Sequence, residues 1–419
     1  MQRTNWAGNV TFAAARFHEP TTVDELQRLV AVSKRSRVLG TGHSFNGIAD
    51  SREDLISLKR LPARIEIDEV GSLVKVSAGT RYGELSAALH TAGWALTNLG
   101  SLPHISVAGA VATATHGSGD ENGNLATQVR EIEMITSTGD LVQVRSSDGQ
   151  GSFAGSVIAL GSLGVVVSLS LDLTRTYDIS QVVYEDVSFE LALAQLDAIF
   201  AAGYSVSLFT TWTQSVFDQV WVKTLAATAP AEGKPSWAQG SRLAGSPRHP
   251  LPTLPGDVCT TQLGIVGPWH ERLPHFRLDF TPSSGNELQS EFFVARHDAV
   301  AALRSLDEIR SHIAPMLLVS ELRSVAGDDL WLSPAYGRSS MAIHFTWKPD
   351  AVAVAPVLQM IEERLMPFAA RPHWGKVFSL DPTYIAAQYP RMPDARALAS
   401  SYDPTGAFVN DFVSSYLRL

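Results

Sequence analysis

The chain has 419 residues, 45% hydrophobic and 18% charged, which is enough for two or three domains with sizeable cores and too apolar for a disordered polypeptide. Its 33 Lys and Arg against 42 Asp and Glu give a net charge of −9, with no basic excess to neutralise a phosphate backbone, so nucleic acid is excluded as a partner. A single cysteine, Cys259, excludes an internal disulfide and every multi-cysteine metal site.

The opening residues, Met1 to Trp6, lack the apolar run of a signal peptide. No stretch of ~18 apolar residues follows, and the best candidate, between Phe189 and Phe209, is broken by Glu190 and Asp197. The expectation is a cytoplasmic protein with no membrane partner.

Thr22-Val23-Asp24-Glu25 reads as a capping box opening a helix whose apolar residues are Val23, Leu26, Leu29 and Val30. A short strand, Arg37-Val38-Leu39, runs into the polar loop Gly40-Thr41-Gly42-His43-Ser44-Phe45-Asn46. Further β runs are expected at 55–58, 65–67 and 73–78, then a helix through Tyr82, Leu85, Ala88 and Leu89. The runs at 132–136 and 141–144 flank Ser137-Thr138-Gly139-Asp140 as a hairpin. Residues 225–257 are rich in proline, glycine and serine and read as a long surface loop. Strands are then expected at 288–294, 317–325 and 341–347, with helices at 301–313 and around Val354 to Leu365. Strands and helices mixed without strict βαβ alternation indicate an α+β fold.

The loop at 40–45 fails the Rossmann fingerprint because Phe45 stands where the third glycine belongs, and it lacks the Lys of a P-loop. It remains readable as a tight surface turn or as a loop whose backbone N–H groups approach a pyrophosphate. A second small-residue stretch, Ala108 to Gly119, has almost no bulky side chain, and offers Thr113, Thr115 and His116 as polar groups, with Ser101 and Ser106 just before it.

In the C-terminal half, period-2 alternation places Glu321 and Arg323 on one strand face and His344 and Thr346 on another, with Ile343, Phe345 and Trp347 turned to a core. If the two polar faces meet, they form a floor suited to a neutral substrate rich in hydroxyls; otherwise they are the solvated side of an antiparallel sheet. No His-Glu-x-x-His, Gly-x-Ser-x-Gly or EF-hand pattern is present, so neither a metal nor a serine nucleophile is expected.

These segments together resemble the vanillyl-alcohol oxidase type of flavoprotein, and within it the alditol (xylitol) oxidases. The similarity runs through Thr4-Asn5-Trp6-Ala7-Gly8-Asn9, the Gly-His-Ser-Phe-Asn loop, Ser101-Leu102-Pro103-His104-Ile105-Ser106-Val107-Ala108-Gly109 and Ala114-Thr115-His116-Gly117-Ser118-Gly119. It continues through Phe280-Thr281-Pro282-Ser283-Ser284-Gly285, Leu288-Gln289-Ser290-Glu291, His373-Trp374-Gly375-Lys376 and Asp403-Pro404-Thr405-Gly406-Ala407-Phe408-Val409-Asn410.

The resemblance implies a discontinuous FAD-binding domain (residues 1–175 with 378–419 returning to it) around a substrate or cap domain with an antiparallel sheet (176–377). It implies FAD held covalently through His43. Thr41, Gly42, Ser44, Phe45, Asn46, Ser101, Ser106, Gly109, Thr113, Ala114, Thr115, His116, Val166 and His373 would surround the cofactor.

A polyol would bind to Ser101, Glu321, Arg323, His344, Thr346 and Lys376, with Lys376, His344 and Ser101 as the catalytic set. The implied reaction oxidises a terminal primary hydroxyl to the aldose and reduces oxygen to hydrogen peroxide, in a monomer. Gly100, beside Ser101, would leave oxygen a path to the reduced ring. A sugar-1,4-lactone oxidase or dehydrogenase is the alternative within the family, and a sugar-binding protein without catalysis the alternative outside it.

Overall fold

In the computed structural model, which describes residues 3–149, 151–228, 233–280 and 287–418, the chain begins with three short parallel strands. These are β1 (Arg16–His18), β2 (Ser36–Leu39) and β3 (Asp54–Ser57), in the order β1-β3-β2. Parallel strands need a crossover, and the helix Val23–Val32 provides one. Thr22 caps it as expected, its hydroxyl accepting from Glu25 N at 3.1 Å. The return bond of a capping box is displaced: Glu25 Oε2 accepts from Thr21 N at 2.7 Å, one residue outside the cap.

β4 (Ile65–Asp68) and β5 (Leu73–Ser77) open a five-stranded antiparallel sheet. β6 (Trp94–Ala95) stands apart from it. β7 (Val129–Ile135), β8 (Leu141–Arg145) and β9 (Val165–Asp172) complete the order β4-β5-β9-β7-β8. The expected hairpin is present, with Ile135 opposite Leu141. β10 (Thr174–Arg175) pairs with β6.

The remaining strands form one nine-stranded antiparallel sheet. They are β11 (Asp178–Ser188), β12 (Ser205–Thr210), β13 (Val216–Leu225), β14 (Arg242–Leu243), β15 (Gly267–Pro268), β16 (Leu288–Ala295), β17 (Leu317–Val325), β18 (Ser340–Trp347) and β19 (Arg371–Pro372). The order is β14-β11-β13-β12-β17-β18-β16-β19, with β15 on β11. Ile343, Phe345 and Trp347 turn to one face and pack in the same apolar cluster as Val354, Leu358 and Ile361 of the helix Ala351–Leu365. The opposite face is no solvated surface: Glu321, Arg323, His344 and Thr346 are each less than a tenth exposed.

Two expectations need correction. The helix expected over 301–313 is two, Ala299–Asp307 and Arg310–Ile313, because Ile309 (φ −110°, ψ 14°) leaves helical geometry between them. The proline-rich stretch is no simple surface loop, since Trp237, Ala238, Ala244 and His249 are buried in it. Its residues 229–232 lie outside the described residues, as do 281–286, which carry most of the Phe280–Gly285 motif.

The C-terminal segment packs back on the first strands. Arg37 is buried and meets no carboxylate; its guanidinium donates to the carbonyls of Ile48 (3.0 Å), Leu160 (2.6 Å), Gly161 (2.9 Å) and Phe408 (2.8 Å). Burial pushes it down to about 10, so it stays charged at neutral pH. The Asn410 amide donates to Gly47 O and Asp50 O at 3.0 and 2.8 Å. Together these bonds hold the loop after β2 against elements some 120 and 360 residues away. Among the described residues, no helix is long and apolar enough to cross a membrane.

Candidate active site

One cavity of about 1900 Å³ runs from the loop after β2 to the polar face of the large sheet. That is beyond the ~300–1,000 Å³ of an ordinary ligand pocket, and leaves room for a dinucleotide and a second ligand. Every expected site residue lines it except Ala114. Ala114 lies just behind the lining: it is fully buried in the main apolar cluster, and its left-handed φ of 57° turns the chain out of the helix Val107–Ala112.

At one end, two separate motifs, Thr4–Asn9 and His373–Lys376, grip the loop 40–46. Trp6 N donates to Gly42 O at 2.8 Å, and the Asn5 and Asn9 amides donate to Ser44 O and Phe45 O at 2.9 and 2.8 Å. Asn46 reaches across the cavity, donating to Trp374 O and Lys376 O, both at 2.8 Å, while Phe45 N donates to Gly375 O at 2.7 Å. The loop that holds Lys376 is thus tied to the loop that holds His43. Trp374 anchors the far side, fully buried, with its indole N–H on Leu332 O at 2.7 Å.

This end fits a dinucleotide. Gly42 has φ of 73°, and the N–H groups of Gly42, His43 and Ser44 donate to no described residue, as a phosphate cradle requires. A Cβ on Gly40 would lie 2.5 Å from Ser106 Oγ, and one on Gly109 2.8 Å from it, so glycine keeps this wall open. His43 stacks on Trp6 with ring centroids 5.3 Å apart, and its Nδ1 meets Thr41 Oγ1 at 2.9 Å. Burial, reinforced by His104, pushes the ring down to about 4, so it is neutral and carries a nitrogen lone pair.

At the other end the register of three strands sets the chemistry. Glu321, His344 and Glu291 stand directly opposite one another on β17, β18 and β16, so their side chains share the cavity face. Arg323 donates to Glu291 Oε1 at 2.5 Å and to Ser101 Oγ at 3.3 Å. Lys376 Nζ lies 2.6 Å from His344 Nδ1 and 3.2 Å from Glu291 Oε2. His344 Nε2 lies 3.0 Å from Thr346 Oγ1. Lys376 therefore donates to Nδ1, the ring carries its proton on Nε2, and one ammonium N–H remains for the cavity.

Burial pushes His344 down to about 4, with Lys376 adding to it, so the ring is neutral. Burial also lowers Lys376, against the pull of Glu291. Burial would raise Glu291, but the charges of Lys376 and Arg323 and the neighbouring His116 hold it well below the usual carboxylate range. Glu321 likewise overcomes burial through Arg323 and His275. The wall thus presents fixed donors and fixed acceptors side by side.

Glu291 is the centre of this cluster, yet sequence reading took it only as part of a motif. Alternation in Leu288–Ala295 puts Gln289 and Glu291 on one face, and that signal identifies it. His275 sits in an irregular segment with no periodicity, and nothing local marks it. The proline-rich stretch has a place here as well: His249, Pro250, Leu251, Leu254 and Pro255 line the cavity.

Two family models match the chain: an FAD binding domain over residues 14–145 and a D-arabinono-1,4-lactone oxidase model over 286–416. The chain is 48% identical to an alditol oxidase of a Streptomyces species, covering 99% of this chain and 98% of that one. It is 25% identical to an L-gulono-1,4-lactone dehydrogenase of Mycobacterium tuberculosis over 99% and 98%. Among solved structures, cholesterol oxidase from B. sterolicum superposes with a TM-score of 0.80 at 14% identity, covering 99% of this chain and 96% of that one. The last likeness shows the fold alone.

Proposed function

Since the chain belongs to the alditol oxidase family of FAD-dependent flavoproteins, we propose that it oxidises the terminal primary hydroxyl of a polyol of the xylitol and sorbitol type to the aldose, reducing oxygen to hydrogen peroxide. The observation that carries this is the buried wall of paired donors and acceptors, Glu321, Arg323, His344, Thr346 and Lys376, opening on the dinucleotide-sized cavity. A hydroxyl both donates and accepts, and a site of this kind rejects analogues that lack the hydroxyls.

FAD held by the loop 40–46 and the Ser101–His116 segment would supply the two-electron oxidant for the carbinol carbon, with oxygen as the final acceptor. The chain's own residues do the rest. The third position on Lys376 Nζ, an N–H in the ammonium and a lone pair in the amine, meets the reacting hydroxyl beside Ser101. The hydroxyl proton passes to Nζ of Lys376 in its deprotonated form, which burial favours by lowering the lysine below its ordinary range. Glu321 and Arg323 hold the remaining hydroxyls, so that orientation carries much of the rate. His43, neutral and set on Trp6, is the covalent attachment point for FAD.

Purified protein is expected to be yellow, and to stay yellow through acid or detergent denaturation. The His43→Ala variant should release its colour under the same treatment. Peroxide should form with xylitol or sorbitol and not with a gulonolactone. A colourless protein overturns the flavin reading, colour that washes out of the wild type overturns attachment through His43, and a preference for the lactone overturns the substrate class.

Gly100 gives a further expected outcome. A Cβ there would sit in ordinary contact, 3.6 Å from Thr115 Cγ2 and 3.7 Å from His116 O, so a larger residue is accommodated by the fold while narrowing the cavity wall beside Ser101. Gly100→Val is expected to slow reoxidation by oxygen while flavin reduction by polyol continues, as read by stopped-flow absorbance. Reoxidation at the wild-type rate would remove Gly100 from the oxygen path.

A further inference from the structure

On the side of the wall away from Lys376, two buried groups that the proposed reaction does not use form a line ending on Glu321. Lys223 sits in mid-strand on β13, 1% exposed. Its Nζ donates to Leu273 O, to Pro274 O at 3.3 Å and to His275 Nδ1 at 3.2 Å. Burial pushes Lys223 down to about 7; in its ammonium form the three acceptors match its three N–H groups, and it has no lone pair to offer in return. Nδ1 of His275 is therefore the acceptor, and the proton of the neutral ring sits on Nε2, 2.8 Å from Glu321 Oε1. The opposite tautomer would set a ring lone pair against a carboxylate oxygen at that distance.

His275 is held on every side. Trp221 and Phe209 meet the ring edge-on, with centroids 5.1 and 5.6 Å away. Its backbone N–H donates to Ser101 O at 3.0 Å, and Thr260 N donates to its carbonyl at 2.9 Å. This one residue therefore fixes both the main chain of Ser101 and the carboxylate of Glu321. Both close contacts of that carboxylate, from His275 and from Arg323 Nε at 3.6 Å, fall on Oε1, and Oε2 has no bond to a described residue.

We propose that Lys223 and His275 are positioning residues for substrate recognition: Lys223 locks His275 as the Nε2–H tautomer, and His275 engages one oxygen of Glu321 so that the other faces the hydroxyls of the polyol. The inference rests on the polyol reading above. Because Glu321 holds hydroxyls away from the reacting carbon, loss of the relay weakens binding and spares the chemical step.

The test uses the wild-type holoenzyme and the polyol it oxidises best among xylitol, sorbitol and glycerol, with flavin reduction followed by stopped flow. His275→Phe fills the ring's space without an N–H, and the polyol dissociation constant is expected to rise at least about tenfold, the effect of one lost hydrogen bond to a charged group. The limiting reduction rate should change less than about threefold, which the same loss predicts when it acts on binding alone. His275→Gln restores an N–H toward Glu321 and should recover most of the affinity, while Lys223→Met should lie between the two.

In the wild type, imidazole ¹⁵N NMR should show, besides His344, a neutral histidine with a protonated Nε2 and a hydrogen-bonded, unprotonated Nδ1, a signal missing from His275→Gln. Unchanged affinity in His275→Phe, failure of glutamine to rescue, a rate that falls as much as affinity, or the opposite tautomer would each overturn the relay. If the wild type oxidises none of the three polyols, the polyol reading falls instead. The tautomer measurement stands whether or not the phenylalanine variant folds.

Discussion

Replacing Lys376 with alanine is expected to lower kcat by roughly 10²–10⁴-fold, the ordinary contribution of a placed acid or base, while the purified protein stays yellow. The two halves of that result come from different parts of the structure. Colour depends on the loop 40–46, which is gripped by Asn5, Asn9 and Asn46 and by the main chain at Trp374 to Lys376, and none of those bonds uses the Lys376 side chain. Turnover depends on Nζ, which meets His344 Nδ1 at 2.6 Å and, once deprotonated, turns its lone pair to the substrate hydroxyl.

Burial lowers Lys376, so the wild-type kcat/KM should rise with pH through a value below the usual lysine pKa of ~10.4. The alanine variant should lose that limb of the profile. Steady-state peroxide assays across pH check both, and an alanine variant that keeps wild-type turnover removes Lys376 from the chemistry.

The second large effect concerns stability. Glu291→Leu is expected to destabilise the fold by roughly 3–5 kcal/mol, the cost of leaving buried charge without its partner. Glu291 is 1% exposed and faces Arg323 at 2.5 Å, Lys376 at 3.2 Å and His116 at 3.3 Å, so leucine takes the nearest carboxylate from two buried cations, leaving Arg323 only Glu321 at 3.6 Å. Glu291→Gln keeps the shape and some hydrogen bonding and should cost less.

The pH dependence has a definite sign. Lys376 and Arg323 hold the folded-state pKa of Glu291 well below its unfolded value, so its contribution is present above the unfolded carboxylate value of ~4.3 and is lost as pH falls toward the folded one. Chemical denaturation of wild type and Glu291→Gln should therefore diverge at neutral pH and converge in acid. A gap that stays constant across that range contradicts the ion-pair account.

Much of the molecule is readable one segment at a time, because the information is local. The Thr22 cap, the hairpin through Gly139 and the alternation in Leu317–Val325 and Ser340–Trp347 depend on periods of two or 3.6 residues and on turn chemistry within a few positions. The same alternation puts Glu321 with Arg323 on one strand face and His344 with Thr346 on another. Local rules failed in two places. Glu25 turned to Thr21, and the proline-rich stretch became a cavity wall with a buried tryptophan because β11 and its neighbours lie beneath it.

By itself the sequence determined an α+β chain of low charge with one cysteine, two small-residue segments and two polar strand faces. It could not decide whether those faces meet water or each other. That depended on register: β16, β18 and β17 pair so that Glu291, His344 and Glu321 stand abreast, and a shift of one residue would have turned all three into the apolar core. Nor could it decide what lies behind Glu321, since Lys223 and His275 come from a mid-strand position and an irregular segment, joined only by folding. The scarcity of charge takes its meaning from that closure. The charges that line this site are few, buried and mutually neutralised, and only the tertiary structure could supply each with its partner out of water.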